Sequence, residues 1–197
     1  RFVAVKVIHR SVAGDDNALQ RFQREARAAA ADAWFYTGGG SPYGYRGLGE
    51  VSVFVFFGLV ATLGTTYVQL LRVTTEAVLG AIAVGSMATA ILLVNNLRDI
   101  PSDTRSGKRT LAVRLGDRWT RRLFFAMLAL AYAMAAAVAV GGYPRALLAW
   151  LSLPWAVRAA RPVEAGATGP GLIPPLVDTG RAELGLAVGL TVGLVLG

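Results

Sequence analysis

A polytopic all-α bundle of membrane-spanning helices is the fold class that this sequence predicts, and three observations carry the prediction. Long runs contain no charged residue, the charged residues collect between those runs, and the overall share of charge is low. Only 16% of the 197 residues are Asp, Glu, Lys or Arg, against roughly 25% in an ordinary soluble domain. The mean hydropathy is +0.50. On a soluble chain the net charge of +8 would point to nucleic acid. Here the basic residues sit between apolar spans, as topology-setting loops do, so no nucleic-acid partner is expected. The absence of cysteine excludes a disulfide framework and any thiolate-bound metal.

The first 32 residues read as a short segment outside the membrane. Val3, Val5 and Val7 alternate with Ala4, Lys6 and Ile8, a short β pattern. Residues 17–31 then read as a helix with Leu19, Phe22, Ala26 and Ala29 on one face. No continuous apolar core marks a signal peptide. Residues 34–50, WFYTGGGSPYGYRGLGE, form a loop, because glycines and Pro42 break every regular pattern. The aromatics Trp34, Phe35, Tyr36, Tyr43 and Tyr45 within it suit a membrane interface.

About five transmembrane helices follow. Residues 51–70 and 77–97 carry no charge, and each has about the 20 residues that cross a hydrocarbon core. The short link 71–76 makes them an antiparallel hairpin. Residues 123–144 are a third uncharged run. Residues 146–157 are apolar but short and contain Pro154. This run either spans by continuing to Ala160, with Arg158 reaching back to the interface, or inserts only in part. Residues 184–197 are the fifth. Their Gly, Ala, Ser and Thr content suits close helix packing in lipid. Arg98, Arg105, Lys108, Arg109, Arg114, Arg118, Arg121 and Arg122 share one loop, while the opposite links carry only Arg72 and Arg145. By the positive-inside rule that loop is cytoplasmic in a plasma-membrane protein.

The chemistry gathers where the second run ends, in VNNLRDIPSDTRSGKRTLAVRLGDR over 94–118. Asp99 and Asp103 lie four residues apart, which puts both on one face of a helix. Pro101 between them predicts a kink or a helix end. Carboxylates at a membrane helix end need partners. Oxygen ligands of this kind suit Mg²⁺, which usually shares its ligands with substrate phosphates. Arg98, Lys108 and Arg109 supply charge for phosphate oxygens. The combination points to a substrate with a diphosphate head and a hydrocarbon tail. A plainer reading stands beside it: Asp103 caps the next turn and the arginines only set topology. The Asp-x-x-x-Asp spacing alone favours the plainer one, because short motifs often mislead.

NNLRDIPSDTRSGKRTLAVRLGDRWTR, 95–121, resembles the second aspartate-rich motif of the UbiA superfamily of membrane prenyltransferases. Residues 34–69, WFYTGGGSPYGYRGLGEVSVFVFFGLVATLGTTYVQ, and 172–186, LIPPLVDTGRAELGL, resemble the same family in the same order. Three collinear blocks are far more specific than one motif, and they favour the metal reading. The branch resembled prenylates 1,4-dihydroxy-2-naphthoate in menaquinone synthesis. The resemblance implies a nine-helix fold, of which residues 33–197 match the second half. It implies catalytic, Mg²⁺-binding roles for Asp99 and Asp103. Asn95, Asn96, Arg98, Lys108 and Arg109 match the polar residues around the diphosphate. The implied substrates are a polyprenyl diphosphate and 1,4-dihydroxy-2-naphthoate, joined with loss of CO₂ to give demethylmenaquinone. Tyr67 and Gln69 match a helix end in the family, and an interface-anchoring role for them stays open.

Two departures set an alternative. The family's first Asp-rich motif and about four helices have no counterpart here, so an inactive truncated membrane fragment is the competing expectation. Residues 2–30 instead resemble a piece of the small lobe of a bacterial Ser/Thr protein kinase, with Lys6 and Glu25 at its ion-pair positions. Without the Gly-rich loop, the catalytic-loop Asp and Asp-Phe-Gly, no phosphotransfer is expected of it. His9 has no assigned role. A fusion, a rearrangement or an assembly join near 29–33 is expected.

Overall fold

A computed structural model describes residues 47–197, which belong to one compact unit. The expected β pattern, the helix over 17–31 and the boundary at residue 32 lie outside the described residues. All the regular elements of the described residues are helices, with no strand among them.

Helix α1 covers Gly49–Leu70. It opens as an α-helix over Gly49–Val53, widens to a π-helix over Phe54–Val60 and returns to α over Ala61–Leu70. Leu71, at φ 53°, ends it in the left-handed region and donates its N–H to Tyr67 at 2.8 Å. Helix α2 is Thr75–Arg105, capped by the Thr74 hydroxyl on the Ala77 N–H at 3.2 Å. Gly58 of α1 meets Gly85 of α2 so closely that a Cβ on Gly58 would lie 2.5 Å from the Gly85 Cα. Only small residues allow such a crossing.

Helix α3 is Leu111–Val140, capped by the Thr110 hydroxyl on the Val113 N–H. Gly116, at φ 75° and ψ 171°, interrupts it. A 3₁₀ helix over Pro144–Ser152 leads into α4, Leu153–Glu164. A short 3₁₀ turn, Gly169–Leu172, precedes α5, Ile173–Leu196.

Four of the helical stretches are long and apolar enough to cross a membrane: Gly49–Leu70, Thr75–Arg105, Leu111–Val140 and Gly169–Leu196. The fourth apolar run of the sequence makes its traverse differently. Its 3₁₀ segment of nine residues and α4 of twelve together reach about 36 Å, at about 2.0 and 1.5 Å per residue. Arg145 at its start bonds the Leu196 carbonyl, and Val163 at its end accepts from Arg121. It therefore runs from one end of the bundle to the other.

The unusual length of this 3₁₀ segment has a packing cause. Ala146, Ala149 and Ser152 recur every three residues and are buried. They face Gly193, Gly189 and Gly185 of α5, which recur every four. Three 3₁₀ residues and four α-helical residues both rise about 6 Å. The two periods therefore stay in step: Gly189 and Gly193 meet the partner backbone, and Gly185 meets the Ser152 Cβ. A Cβ on Gly189 would lie 2.5 Å from the Ala149 Cα and N. Tyr132 of α3 closes the seam from the side, its hydroxyl 2.8 Å from the Ser152 hydroxyl, which itself donates to the Ala149 carbonyl.

Candidate functional site

Helix α2 has 31 residues, about 46 Å at 1.5 Å each, against a hydrocarbon core of about 30 Å. Its last turns therefore reach past the apolar layer and carry Asn95, Asn96, Arg98, Asp99 and Asp103 to the end of the bundle. Pro101 does not break it. Proline gives no N–H to the Leu97 carbonyl, yet the helix runs on to Arg105. Hydroxyls reinforce this turn, Ser102 donating to the Asp99 carbonyl and Thr104 to the Ile100 carbonyl. The expected kink or stop at Pro101 becomes a continuation of one further turn.

Asp99 and Asp103 stand one turn apart, and each is matched with a base from the same motif. The Arg98 guanidinium holds both oxygens of Asp99, from Nε and Nη2, at 2.8 Å each. Nη2 also donates to Asn95 Oδ1 at 2.9 Å. Lys108 Nζ lies 3.6 Å from Asp103 Oδ1, and the Lys108 N–H donates to the Asp103 carbonyl. Gly107, at φ 73°, turns the chain between them. The Arg109 side chain is exposed and makes no ion pair among the described residues.

One residue of this cluster was not singled out from the sequence. Glu50, in the first turn of α1, is 3% exposed. Its Oε1 accepts from Asn96 Nδ2 at 2.9 Å. The stretch before it packs on the same loop: a Cβ on Gly47 would lie 3.0 Å from the Arg109 carbonyl and 3.1 Å from Arg114 Nε. The sequence does hold a signal for Glu50. It is a lone carboxylate at the very start of an uncharged span, and such a residue needs a partner.

Two buried side-chain oxygens have no hydrogen-bond partner among the described residues, Glu50 Oε2 and Asp103 Oδ2. Buried polar atoms are seldom left so. Both belong to carboxylates, the hard oxygen donors that Mg²⁺ takes. No group of three or more His, Cys, Asp or Glu among the described residues gathers as a metal site. This donor set therefore fits a cation that takes one or two carboxylates and fills its remaining positions from phosphate and water.

Beside the cluster lies a cavity of 440 Å³, lined by Val53 and Phe57 of α1, Ala88, Ile91, Leu92 and Asn95 of α2, and Leu176 and Glu183 of α5. Its wall is apolar apart from Asn95 and Glu183, and Asn95 joins it to Arg98. A second cavity of 420 Å³, at the far end of α2, is lined by residues such as Thr62, Arg72 and Glu76 and includes neither aspartate.

The UbiA prenyltransferase family matches residues 27–164. A 1,4-dihydroxy-2-naphthoate octaprenyltransferase of Mycobacterium leprae is 48% identical over 166 residues, 84% of this chain and 56% of that protein. The Mycobacterium tuberculosis protein of the same name is 48% identical over 85% of this chain and 57% of its own length. A 2-carboxy-1,4-naphthoquinone phytyltransferase of Synechocystis is 31% identical over 65% of the chain and 43% of its own. The chain thus spans little more than half the length of the two mycobacterial relatives. No solved structure matches it significantly.

Proposed function

We propose a reaction for this chain from one established premise: it belongs to the UbiA prenyltransferase family. The reaction is transfer of a polyprenyl group from its diphosphate to 1,4-dihydroxy-2-naphthoate, with loss of CO₂, giving demethylmenaquinone. The observation that carries it is a polar cluster of two acids and their bases at the rim of an apolar cavity, which suits a ligand with a charged head and a hydrocarbon tail. The relatives' names share a bicyclic aromatic acceptor and differ in the prenyl group, octaprenyl or phytyl. That supports the acceptor class more firmly than any one donor length.

In this reading the 440 Å³ cavity, open on one side, takes apolar parts of the substrates. Arg98, Lys108 and Arg109 bind phosphate oxygens. Asn95 and Asn96 orient the head group, and Asn95 with Glu183 offers hydrogen bonds to acceptor hydroxyls. Asp103 presents an unpartnered oxygen to a divalent cation, and Asp99 joins it when Arg98 turns from the carboxylate to the diphosphate. Mg²⁺, when bound, neutralises the charge that develops on the departing diphosphate. The C–O bond of the donor breaks with its electron pair going to diphosphate. The ring carbon bearing the carboxyl then attacks the allylic cation, and CO₂ leaves in its place.

The test is transfer by the chain in proteoliposomes, read as release of CO₂ and appearance of the prenylated quinol. Asp99→Ala should abolish both while helical circular dichroism is kept. Unchanged turnover would remove Asp99 from the site. The same reading places the cluster on the cytoplasmic side of the plasma membrane. The chain has no cysteine, so single cysteines report topology directly. Ser106→Cys should react with an impermeant maleimide only from the cytoplasmic side, and Gly142→Cys only from the other.

A further inference from the structure

Glu50, Asp103 and Lys108 present a charge imbalance that the reading above leaves unused. Two largely buried carboxylates, 3% and 8% exposed, stand at this end of the bundle, and the Lys108 ammonium lies 3.6 Å from that of Asp103. Each still has an oxygen without a hydrogen-bond partner among the described residues. Buried carboxylates in excess over cations are costly. A carboxylate has about four acceptor sites to fill, and a single ammonium on a long stem does not fill two sets.

Glu50 and Lys108 each pack against the part of α2 that carries Asn96 and Asp103. Glu50 is fixed through Asn96 to α2, and the chain just before it rests on the Arg109 carbonyl. Lys108 is the residue next to Arg109 and lies 3.6 Å from Asp103. Its side chain is 33% exposed against 11% for that of Asp103. The ammonium therefore stands at the outer side of Asp103, on a flexible four-carbon stem.

We propose that Lys108 is a tethered placeholder cation, which serves the Glu50 and Asp103 carboxylates until a divalent cation takes that place, and then turns outward to the diphosphate, with Glu50 as a further carboxylate of the metal side. The inference rests on the diphosphate-and-metal reading and deepens it. Charge follows the exchange. Two carboxylates against one ammonium leave a net negative charge, two carboxylates against a divalent cation leave none, and the released ammonium meets the arriving anion. No bond is made or broken.

The placeholder role gives Lys108 two opposite effects, and that is its test. The full chain in detergent micelles is titrated with Mn²⁺ as the probe, read by the electron paramagnetic resonance of free Mn²⁺, with and without inorganic pyrophosphate. Without pyrophosphate, Lys108→Met should tighten Mn²⁺ binding several-fold, because a competitor is gone. With pyrophosphate, the same variant should bind the pair more weakly than the wild type. Glu50→Gln keeps an oxygen for Asn96 and should weaken Mn²⁺ roughly tenfold, as loss of a metal-side partner does. Helical circular dichroism checks folding, and Lys108→Gln and Glu50→Asp serve where a first variant misfolds. Unchanged or weaker Mn²⁺ binding by Lys108→Met alone would overturn the placeholder, as would indifference of Mn²⁺ to Glu50→Gln. If the wild-type chain binds neither Mn²⁺ nor pyrophosphate, the diphosphate reading fails with it. Wild-type binding without the reversal overturns the placeholder only.

Discussion

The seam between α5 and the 3₁₀ segment and the polar end of α2 solve opposite problems in the same bundle. At the seam, Gly189 and Gly193 meet Ala149 and Ala146 at backbone contact, Gly185 meets the Ser152 Cβ, and the Ser152 hydroxyl is bonded to Tyr132 and the Ala149 carbonyl. Nothing there waits for a ligand. At the end of α2, Glu50 and Asp103 keep unpartnered buried oxygens and an apolar cavity opens beside Asn95. Lipid gives helices no hydrophobic reason to associate, so close contact between small residues supplies the rigidity. Rigidity in the first region lets the second hold incompletely satisfied charge.

The largest effect expected is therefore at the seam, away from any charge. Gly189→Leu would drive a side chain into the Ala149 backbone, where even a Cβ would lie at 2.5 Å. Backbone cannot swing aside as a side-chain tip can. A loss of at least about 3 kcal/mol follows, the upper range for overpacking. Thermal unfolding in detergent, followed by helical circular dichroism, measures it. A variant of unchanged Tm would mean that the 3₁₀ segment yields easily and that the seam is not what holds the bundle.

The two regions were also unequally legible in the sequence. The paired spacing of Asp99 and Asp103, the bases around them and the uncharged spans are all local patterns, and the structure keeps them together on one helix end. Glu50 was missed because its partner Asn96 is 46 positions away and its own neighbours read as a glycine-rich loop. That the fourth run spans is one of the two readings its sequence allows, but the 3₁₀ form of its first half is not legible there, for a related reason. Alanine at every third position is no 3₁₀ signal alone; it becomes one only against glycine at every fourth position on another helix. Pro101 misled in the other direction, because one missing N–H does not end a helix whose next turn is bonded by Ser102 and Thr104. Gly116 falls within the stretch 98–122 that reads as one basic loop, yet its φ of 75° sets a break within α3.

Away from the seam contacts, Arg121 ties the first turns of α3 to the end of α4. Its Nη1 donates to the Val163 carbonyl at 2.6 Å and its Nη2 to the Ala167 carbonyl at 2.8 Å, while Asp117 holds the guanidinium in place. These carbonyls sit at and just beyond the end of α4, where helix acceptors lack partners. Arg121→Met should cost about 2 kcal/mol, the range for hydrogen bonds from a charged donor. It should also speed hydrogen exchange over residues 163–169 more than over α5. Equal acceleration in both would show that the arginine supports the whole bundle instead of pinning one helix end.

The smallest effect sharpens the comparison most, because it uses the same residue type on the same helix. Gly180 lies on α5 toward the polar end, and a Cβ there would meet only Ile91 Cδ1, at 4.0 Å. That is ordinary contact with a side chain. Gly180→Ala removes the flexibility of a helical glycine and should stabilise the protein by up to roughly 1 kcal/mol, whereas the alanine change at Gly189 should destabilise it. Tm measured on both variants gives the two signs. Opposite signs would show that α5 is held by where its glycines touch backbone and not by how many it has. A loss at Gly180 as well would mean that the wall of the cavity near Ile91 is packed as tightly as the seam, and the contrast between the two regions would then rest on charge alone.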